Sequence, residues 1–337
     1  MTGTPDARLR IIATMMVRDE VDIVAAMIEH TLDQGADLII VTDNASVDGT
    51  TEVLEAYAAT ERVELHHDPL HKKQQSKVVT GMARRARTEH RADWVLNLDA
   101  DEFLVPVDKQ LTVREALSRT SLHLNAFTTE VVNLVGPPAW SGGGIGRLDW
   151  RDHRPVEQLH EIGIHAHPTP NCVHRGESDI VVAQGNHFVS LLSNGQPPAE
   201  VAMEVYHLPW RSWAQLERKV VNAGKAYEGN PELKPSKNHH GMADYRRYKA
   251  GRLQEAYLAR TPTRGEIERG VPEGHYEHDG WLSQHLIGLA GRAVLPQQLE
   301  AVVGPDRDHP VPDAEHEAGA AAGRRWLAED RLATAPA

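Results

Sequence analysis

The sequence predicts an α/β protein: a parallel sheet with helices on both faces, continued into a second half through one mixed sheet, with further helices at the C-terminal end. Three observations predict it. From residue 9 to residue 98, short β-branched or apolar runs alternate with amphipathic stretches, joined by short polar loops. The fourth run, Trp94-Val-Leu-Asn-Leu98, stops abruptly in three acids within four residues, Asp99, Asp101 and Glu102. The C-terminal end of a strand is where open α/β sheets place their ligands. The third observation is size. At 337 residues, with 40% apolar and 25% charged, the chain can bury one large core or two modest ones.

Residues 9–17 (Leu-Arg-Ile-Ile-Ala-Thr-Met-Met-Val) read as a first buried strand, closed by the polar break Arg18-Asp19-Glu20. Val24, Met27, Ile28 and Leu32 then recur at helical spacing, with Asp19 and Asp22 as first-turn acids and Gly35 as the stop. Residues 38–42 are a second strand, rich in β-branched side chains. The polar loop Asp43-Asn-Ala-Ser-Val-Asp-Gly-Thr50 follows, and Thr50 caps a helix to about Ala59. Residues 62–66 are a third strand and 70–91 a basic helix, before the Trp94 strand.

Past Phe103 the alternation stops. A short helix over 111–119 and a long strand over 125–135 lead into a Gly- and Pro-rich loop, 136–150. Residues 156–200 read as irregular, with short strands near 179–183 and 187–191. A strand at 201–206 precedes Ser212-Trp-Ala-Gln215, a capping box that opens a helix with Trp213, Leu216, Val220, Ala223 and Tyr227 on one face. A polar loop (230–241), a helix to about Arg260, a Pro-rich linker (304–313) and an Ala-rich charged tail complete the chain. The expected division is a main domain over 1–230 and a helical extension with its tail over 231–337.

A net charge of −12 argues against nucleic acid as a partner, although Lys72, Lys73, Lys77, Arg84, Arg85 and Arg87 form a local basic patch. The single cysteine, Cys172, excludes an internal disulfide and suits a reducing compartment. No apolar run approaches 18 residues and the first ten residues hold no signal-peptide core, so a cytoplasmic protein without a membrane span is expected. The 20 histidines are scattered along the chain.

On an extended chain Asp99 and Asp101 point the same way, and two such carboxylates repel unless a cation lies between them. A hard divalent cation completed by substrate phosphates meets that need. At this point the order of motifs resembles glycosyltransferase family 2. Arg18-Asp19-Glu20, Asp43 to Thr50 and Leu98-Asp-Ala-Asp-Glu-Phe103 follow successive strands as in that family. Gly185-Asn186-His187 and His207-Leu-Pro-Trp-Arg-Ser212 match a bacterial branch of it. The resemblance covers about residues 10–230 and implies a GT-A fold, a nucleoside-diphosphate sugar donor, Mn²⁺ or Mg²⁺, and inversion at the anomeric carbon.

It also implies roles. Asp99, Asp101 and His207 are the expected metal ligands, with His187 the rival to His207. Glu20, Asp43, Asn44, Asp48, Asp99 and Ala100 are expected around the nucleotide sugar, with Arg18 and Lys77 toward its phosphates. The family's usual Asn is Asp19 here, and Arg18 either offsets that acid or meets a phosphate. Lys77 and Arg84 share a helix face whose bland reading is solvation. Arg211 and Lys219 are expected at the acceptor or phosphate. His187 is the first choice for the base and Glu161 the second, with Glu157 and Glu204 open; alternation puts Glu204 on the strand face away from His207. The acceptor is a small molecule, glycan or peptide. The competing readings are a nucleotidyltransferase, which would want a Gly-rich basic loop after the first strand, and a degenerate nucleotide-sugar binding module, which would have lost an acid.

Overall fold

The structure is a computed structural model that describes residues 9–70, 74–121, 123–228, 240–304 and 307–334. Lys72, Lys73, most of the polar loop expected at 230–241, and Pro305 of the expected linker lie outside the described residues.

The first half alternates as the sequence predicts. Its elements are β1 (Ile11–Val17), α1 (Val24–Asp33), β2 (Leu38–Asp43), α2 (Thr50–Ala58), β3 (Val63–His67), α3 (Gln75–Thr88) and β4 (Trp94–Asn97). β4, β1, β2 and β3 lie side by side and parallel, in the register Ile11↔Trp94, Ile12↔Leu38 and Ile39↔Val63. β1 and β2 are buried on both faces, which is why they read as continuous apolar runs.

The second half completes the sheet. β5 (Glu102–Pro106), α4 (Val113–Arg119), β6 (Ala126–Val135), β7 (Ala139–Ser141), β8 (Trp150–Asp152), α5 (Val156–Glu161), β9 (Asn171–Arg175), β10 (Met203–His207) and α6 (Trp213–Glu228) follow. The remainder is α7 (His240–Lys249), α8 (Leu253–Arg260), α9 (Arg264–Gly270), β11 (Tyr276–His278), α10 (Trp281–Leu289), α11 (Pro296–Val303), β12 (His309–Pro310) and α12 (Asp313–Thr334). One ten-stranded sheet runs β11-β8-β6-β9-β4-β1-β2-β3, with β10 between β6 and β5. β9 is antiparallel to both β4 and β6, whereas β10 is parallel to β6 and antiparallel to β5. This is the mixed, continuous sheet of a GT-A-like fold, and β4 is interior to it.

Several expectations need correction. β5 and β9 are strands that the sequence pattern hides. β5 starts inside the acid motif, and β9 (Asn-Cys-Val-His-Arg) buries Asn171 and His174, so it lacks an apolar signature. The strands expected at 179–183 and 187–191 reduce to one bridge, Val182 to Val189. α3 begins at Gln75 rather than at residue 70. The Ser212 box is half formed: Gln215 N donates to Ser212 Oγ at 3.3 Å, while both amide atoms of Gln215 are buried and have no hydrogen-bond partner among the described residues. β12 lies within the expected linker and pairs with β7.

The late helices join the main core. Leu282, Leu286, Leu289 and Leu299 pack in one cluster with Ile11, Met27, Ile28 and Val41. Glu29 of α1, 3% exposed, accepts from Tyr57 Oη at 2.8 Å and from the backbone N–H groups of Val294 and Leu295 at 2.8 and 2.7 Å. A carboxylate from the early part of the chain thereby holds the two residues that lead into α11. Farther out, α12 packs on α8 through glycine: a Cβ on Gly323 would sit 2.2 Å from the Glu255 carbonyl oxygen.

Glu29→Ala strips an acceptor from one buried and two partly buried donors and should cost about 1–3 kcal/mol of stability. Urea unfolding of the two proteins measures it, and an unchanged midpoint would show that the contact is idle.

Candidate active site

The acids do not lie on an extended chain. Glu102 N donates to the Asp99 carbonyl at 3.1 Å, closing a turn between β4 and β5. The alternation rule therefore fails here, and the two carboxylates leave on different sides. Asp99 Oδ1 accepts from Gln75 Nε2 at 2.9 Å and Asn186 Nδ2 at 3.1 Å. Asp101, 2% exposed, turns to the segment around α6. Its Oδ2 accepts from Lys219 Nζ at 2.7 Å, with Arg211 Nη1 at 3.4 Å and His207 Nε2 at 3.7 Å. Burial alone would raise the Asp101 carboxyl; Lys219, then His207 and Arg211, outweigh it and hold it well below the usual carboxylate range. Ala100, between the two acids, is buried and contributes no side-chain chemistry.

Arg211 has no exposed surface and binds three carboxylates. Besides Asp101 it donates to Glu20, and its Nε donates to Asp22 at 2.9 Å. Burial pushes the Glu20 carboxyl up to about 7, against the pull of Arg211 and Lys219. From α6, Arg218 lies 3.5 Å from Asp48, and Asn222 Nδ2 donates to Asp19 at 2.7 Å. One helix and the residue leading into it thus clamp the loops after β1, β2 and β4.

The loop after β2 is braced from within. Asp43 accepts from Ser46 Oγ at 2.6 Å and from Thr51 Oγ1 at 2.6 Å. Asn44 Nδ2 donates to the carbonyls of Asp68 and Leu70 at 3.0 and 2.8 Å, and Asp48 Oδ1 accepts from Thr50 N and Oγ1 at 3.0 and 2.6 Å. Arg18 Nη1 donates to the Asn44 carbonyl at 2.6 Å. These side chains shape the mouth of the site, with their hydrogen bonds spent on this loop and on the neighbouring loops after β1 and β3. Three non-glycine residues with left-handed backbone sit in the three site loops: Asp19 (φ 56°), Ala45 (φ 57°) and Asn186 (φ 63°). Such conformations cost about 1–2 kcal/mol each for residues with a Cβ and concentrate at functional sites.

The two histidines are held alike. β10 runs beside β6 with His207 opposite Asn133, and His207 Nδ1 meets Asn133 Oδ1 at 2.9 Å. His187 Nδ1 meets Asn171 Oδ1 at 3.1 Å. An amide oxygen can only accept, so each Nδ1 carries a proton; on the neutral ring of His187 the lone pair is then on Nε2, whereas His207 Nε2 lies 3.7 Å from the Asp101 carboxylate. Burial pushes the half-buried His187 below the usual histidine range, so its neutral form is favoured.

Other expected residues lie elsewhere. Lys77 is exposed on α3, whose contact with the acid turn is Gln75. Arg84 spends its guanidinium on the carbonyls of Ile180 and Asp179. Glu161, with Gln158, Arg269 and Arg324, lines a separate cavity of about 320 Å³ bounded by α5, α9 and α12. Glu157 is exposed on α5, and Glu204 is taken up by Arg151 at 2.7 Å and Lys109 at 3.0 Å on the other face of β10. Gln75, Asn133 and Asn171 went unread in the sequence because a polar letter inside a strand or helix carries no periodic signal. The pairing of Asn133 with His207 comes from the register of β6 with β10 and exists only in the folded chain.

The divalent cation has a partial donor set. Among the described residues no three His, Cys, Asp or Glu side chains converge on one point, so Asp99 does not complete a group with Asp101 and His207. Asp101 Oδ2 and His207 Nε2 do face each other, 3.7 Å apart. Two protein donors suit a cation that takes its other ligands from phosphate and water. Lys219, whose side chain is 47% exposed, is the group such a cation would displace.

Residues 12–131 match the model of glycosyltransferase family 92, whereas the motifs resemble family 2. No curated protein matches the chain. Among solved structures, S. aureus TarS 1-349 is 11% identical over 97% of this chain and 92% of that one, at a TM-score of 0.37. The same protein in complex with UDP-GlcNAc is 11% identical over 96% and 92%, at 0.38. A cytidylyltransferase from Leptospira borgpetersenii is 12% identical over 36% of this chain and 53% of its own, at 0.25. Superpositions this loose say nothing of what the present chain binds. The family match, together with the GT-A-like sheet, supports a nucleotide-sugar glycosyltransferase. Among the described residues no helix is long and apolar enough to cross a membrane.

The raised Glu20 carboxyl has a sign that can be tested. The folded chain holds its proton up to about 7, while the unfolded chain releases it near 4.5. The stability it contributes is therefore full below about 4.5 and lost as pH rises to about 7. Unfolding free energies across that window should fall with pH more steeply for the native chain than for Glu20→Gln, and parallel curves would remove Glu20 as the source.

Proposed function

We propose that the chain transfers a sugar from a nucleoside-diphosphate sugar to an acceptor hydroxyl with inversion. The observation that carries the reading is the acid turn at the end of β4. It lies inside the segment matched by the glycosyltransferase model and faces a cationic row on and before α6. A donor of this kind carries two negative phosphates next to the bond that breaks, and gains charge on the leaving oxygen as it does so.

In this reading Lys219 leaves Asp101 to meet the diphosphate, since its half-exposed side chain can swing without unfolding anything. Arg211 stays with Glu20, Asp22 and Asp101 and keeps the loops in register. Asp43, Asn44 and Asp48 hold the donor wall, and Arg18 stands at its mouth. Asp101 and His207 would hold the divalent cation, which when bound supplies positive charge at the diphosphate. The acceptor oxygen forms its bond to the anomeric carbon as the bond to the diphosphate oxygen breaks, and the electron pair leaves with the diphosphate. His187 Nε2 takes the acceptor's proton, its other nitrogen being occupied by Asn171. A single displacement of this kind inverts the carbon.

Incubation with a panel of sugar nucleotides, with and without EDTA, tests the reading. Nucleoside diphosphate should appear with one donor class and fall with EDTA. Pyrophosphate release from a nucleoside triphosphate, with no diphosphate from any sugar donor, would identify a nucleotidyltransferase instead.

Asp101→Asn should lower turnover at least about a hundredfold at saturating divalent cation, because charge stabilisation of the leaving group is lost. Circular dichroism should be unchanged. Turnover near that of the native chain would take the acid turn out of the reaction.

A further inference from the structure

Asn171 stands at the start of β9, 2% exposed, between a carboxylate and an imidazole. Its Nδ2 donates to Glu102 Oε2 at 2.7 Å, and its Oδ1 faces His187 Nδ1 at 3.1 Å. Glu102 Oε2 also accepts from the Asp99 backbone N–H at 3.0 Å. We propose that Asn171 is a positioning residue that fixes the tautomer of His187, and that Glu102 fixes the direction of Asn171. The proposal deepens the reading of His187 as the proton acceptor and rests on it for its catalytic meaning.

The argument is one of donors and acceptors. Burial raises the Glu102 carboxyl well above the usual carboxylate range, and Oε2 accepts from the Asp99 N–H whether the group is ionised or carries its proton on Oε1, so the end of the Asn171 amide facing Oε2 is NH₂. The other end is then the carbonyl. A carbonyl opposite Nδ1 requires N–H there, and a neutral imidazole with Nδ1–H has its lone pair on Nε2. Gly185 adds the steric half of the device. It has φ +80°, and a Cβ there would lie 2.8 Å from His187 Nε2, so the ring's working edge lies over bare backbone. The site is assembled from β5, β9 and the turn at 184–186; the turn is the next element after β9, and β5 is brought in from far earlier in the chain.

Long-range ¹H–¹⁵N correlation of the histidine rings in the labelled full chain, at a pH where they are neutral, reads the tautomer directly. The His187 signals are those lost in His187→Gln. The native chain should show protonated Nδ1 and bare Nε2 at His187. Asn171→Leu, which has no acceptor, should shift the ring toward Nε2–H. Asn171→Asp, which keeps an acceptor opposite Nδ1, should retain Nδ1–H. The His207 signals, held by Asn133, should stay unchanged in both variants. A native ring with Nε2–H overturns the proposal, as does a folded Asn171→Leu with unaltered tautomer. If Asn171→Leu does not fold, Asn171→Asp decides: Nδ1–H supports the proposal and Nε2–H overturns it. In transfer assays Asn171→Leu should lower kcat about 10–100-fold with donor KM unchanged, and Asn171→Asp should recover part of the loss. A native chain that shows the expected tautomer but no transfer with any sugar donor would sink the glycosyltransfer reading and leave the positioning of His187 standing.

Discussion

A guanidinium without access to water is the constraint on which the site depends. Arg211 stands between β10 and α6 and meets carboxylates from the loop after β1 and from the turn after β4. Taking such a charge out of water costs several kcal/mol unless its partners are close and well directed. Each of the three carboxylates is therefore held where Arg211 needs it. The position of Asp101 follows, and with it the position of the turn, of Lys219 and of the edge that His207 presents. Buried ion clusters contribute little net stability but penalise every alternative arrangement. Here that penalty fixes the distance between a helix late in the chain and strands at its beginning.

Much of the first half was legible because it obeys one rule. Strands buried on both faces read as unbroken apolar runs, and β1, β2 and β4 are of that kind. The acid motif was legible for the same reason: Asp99, Asp101 and Glu102 interrupt such a run. Their geometry was not. An extended chain was assumed, but a hydrogen bond from Glu102 to Asp99 bends it, so the two aspartates serve different neighbours. β9 was invisible because Asn171 and His174 are buried polar side chains, which pattern reading assigns to the surface. The histidines were recognised, but the asparagines that give them direction were not. One pair arises from strand register, Asn133 opposite His207, and the other from the 184–186 turn folding back beside β9, and both are properties of the closed fold.

The motifs point to one glycosyltransferase family and the matching model to another, which has a physical reading. Both cover the acid turn at the end of an interior parallel strand in this chain. That feature needs only a strand, a turn and two carboxylates. The surroundings decide what the carboxylates do: here one answers to amides from α3 and the 186 turn, the other to cations from α6. Sequence motifs report the strand and the acids, while the division of labour between them comes from elements up to 118 residues away.

The contact between Glu29 and the N–H groups of Val294 and Leu295 has a consequence for biosynthesis. The two ends of that contact are separated by 265 and 266 residues. As the chain emerges from the ribosome, α1 is made early and its carboxylate is left facing a gap in the core until α10 and α11 arrive. β4 likewise waits for β9 before its open edge is covered. The amino-terminal half thus spends most of translation with apolar surface and a sheet edge exposed, the condition under which nascent chains stick to one another. A fold closed by its last helices cannot mature in instalments, and its yield in a cell will be governed by how long a chaperone shields the unfinished sheet.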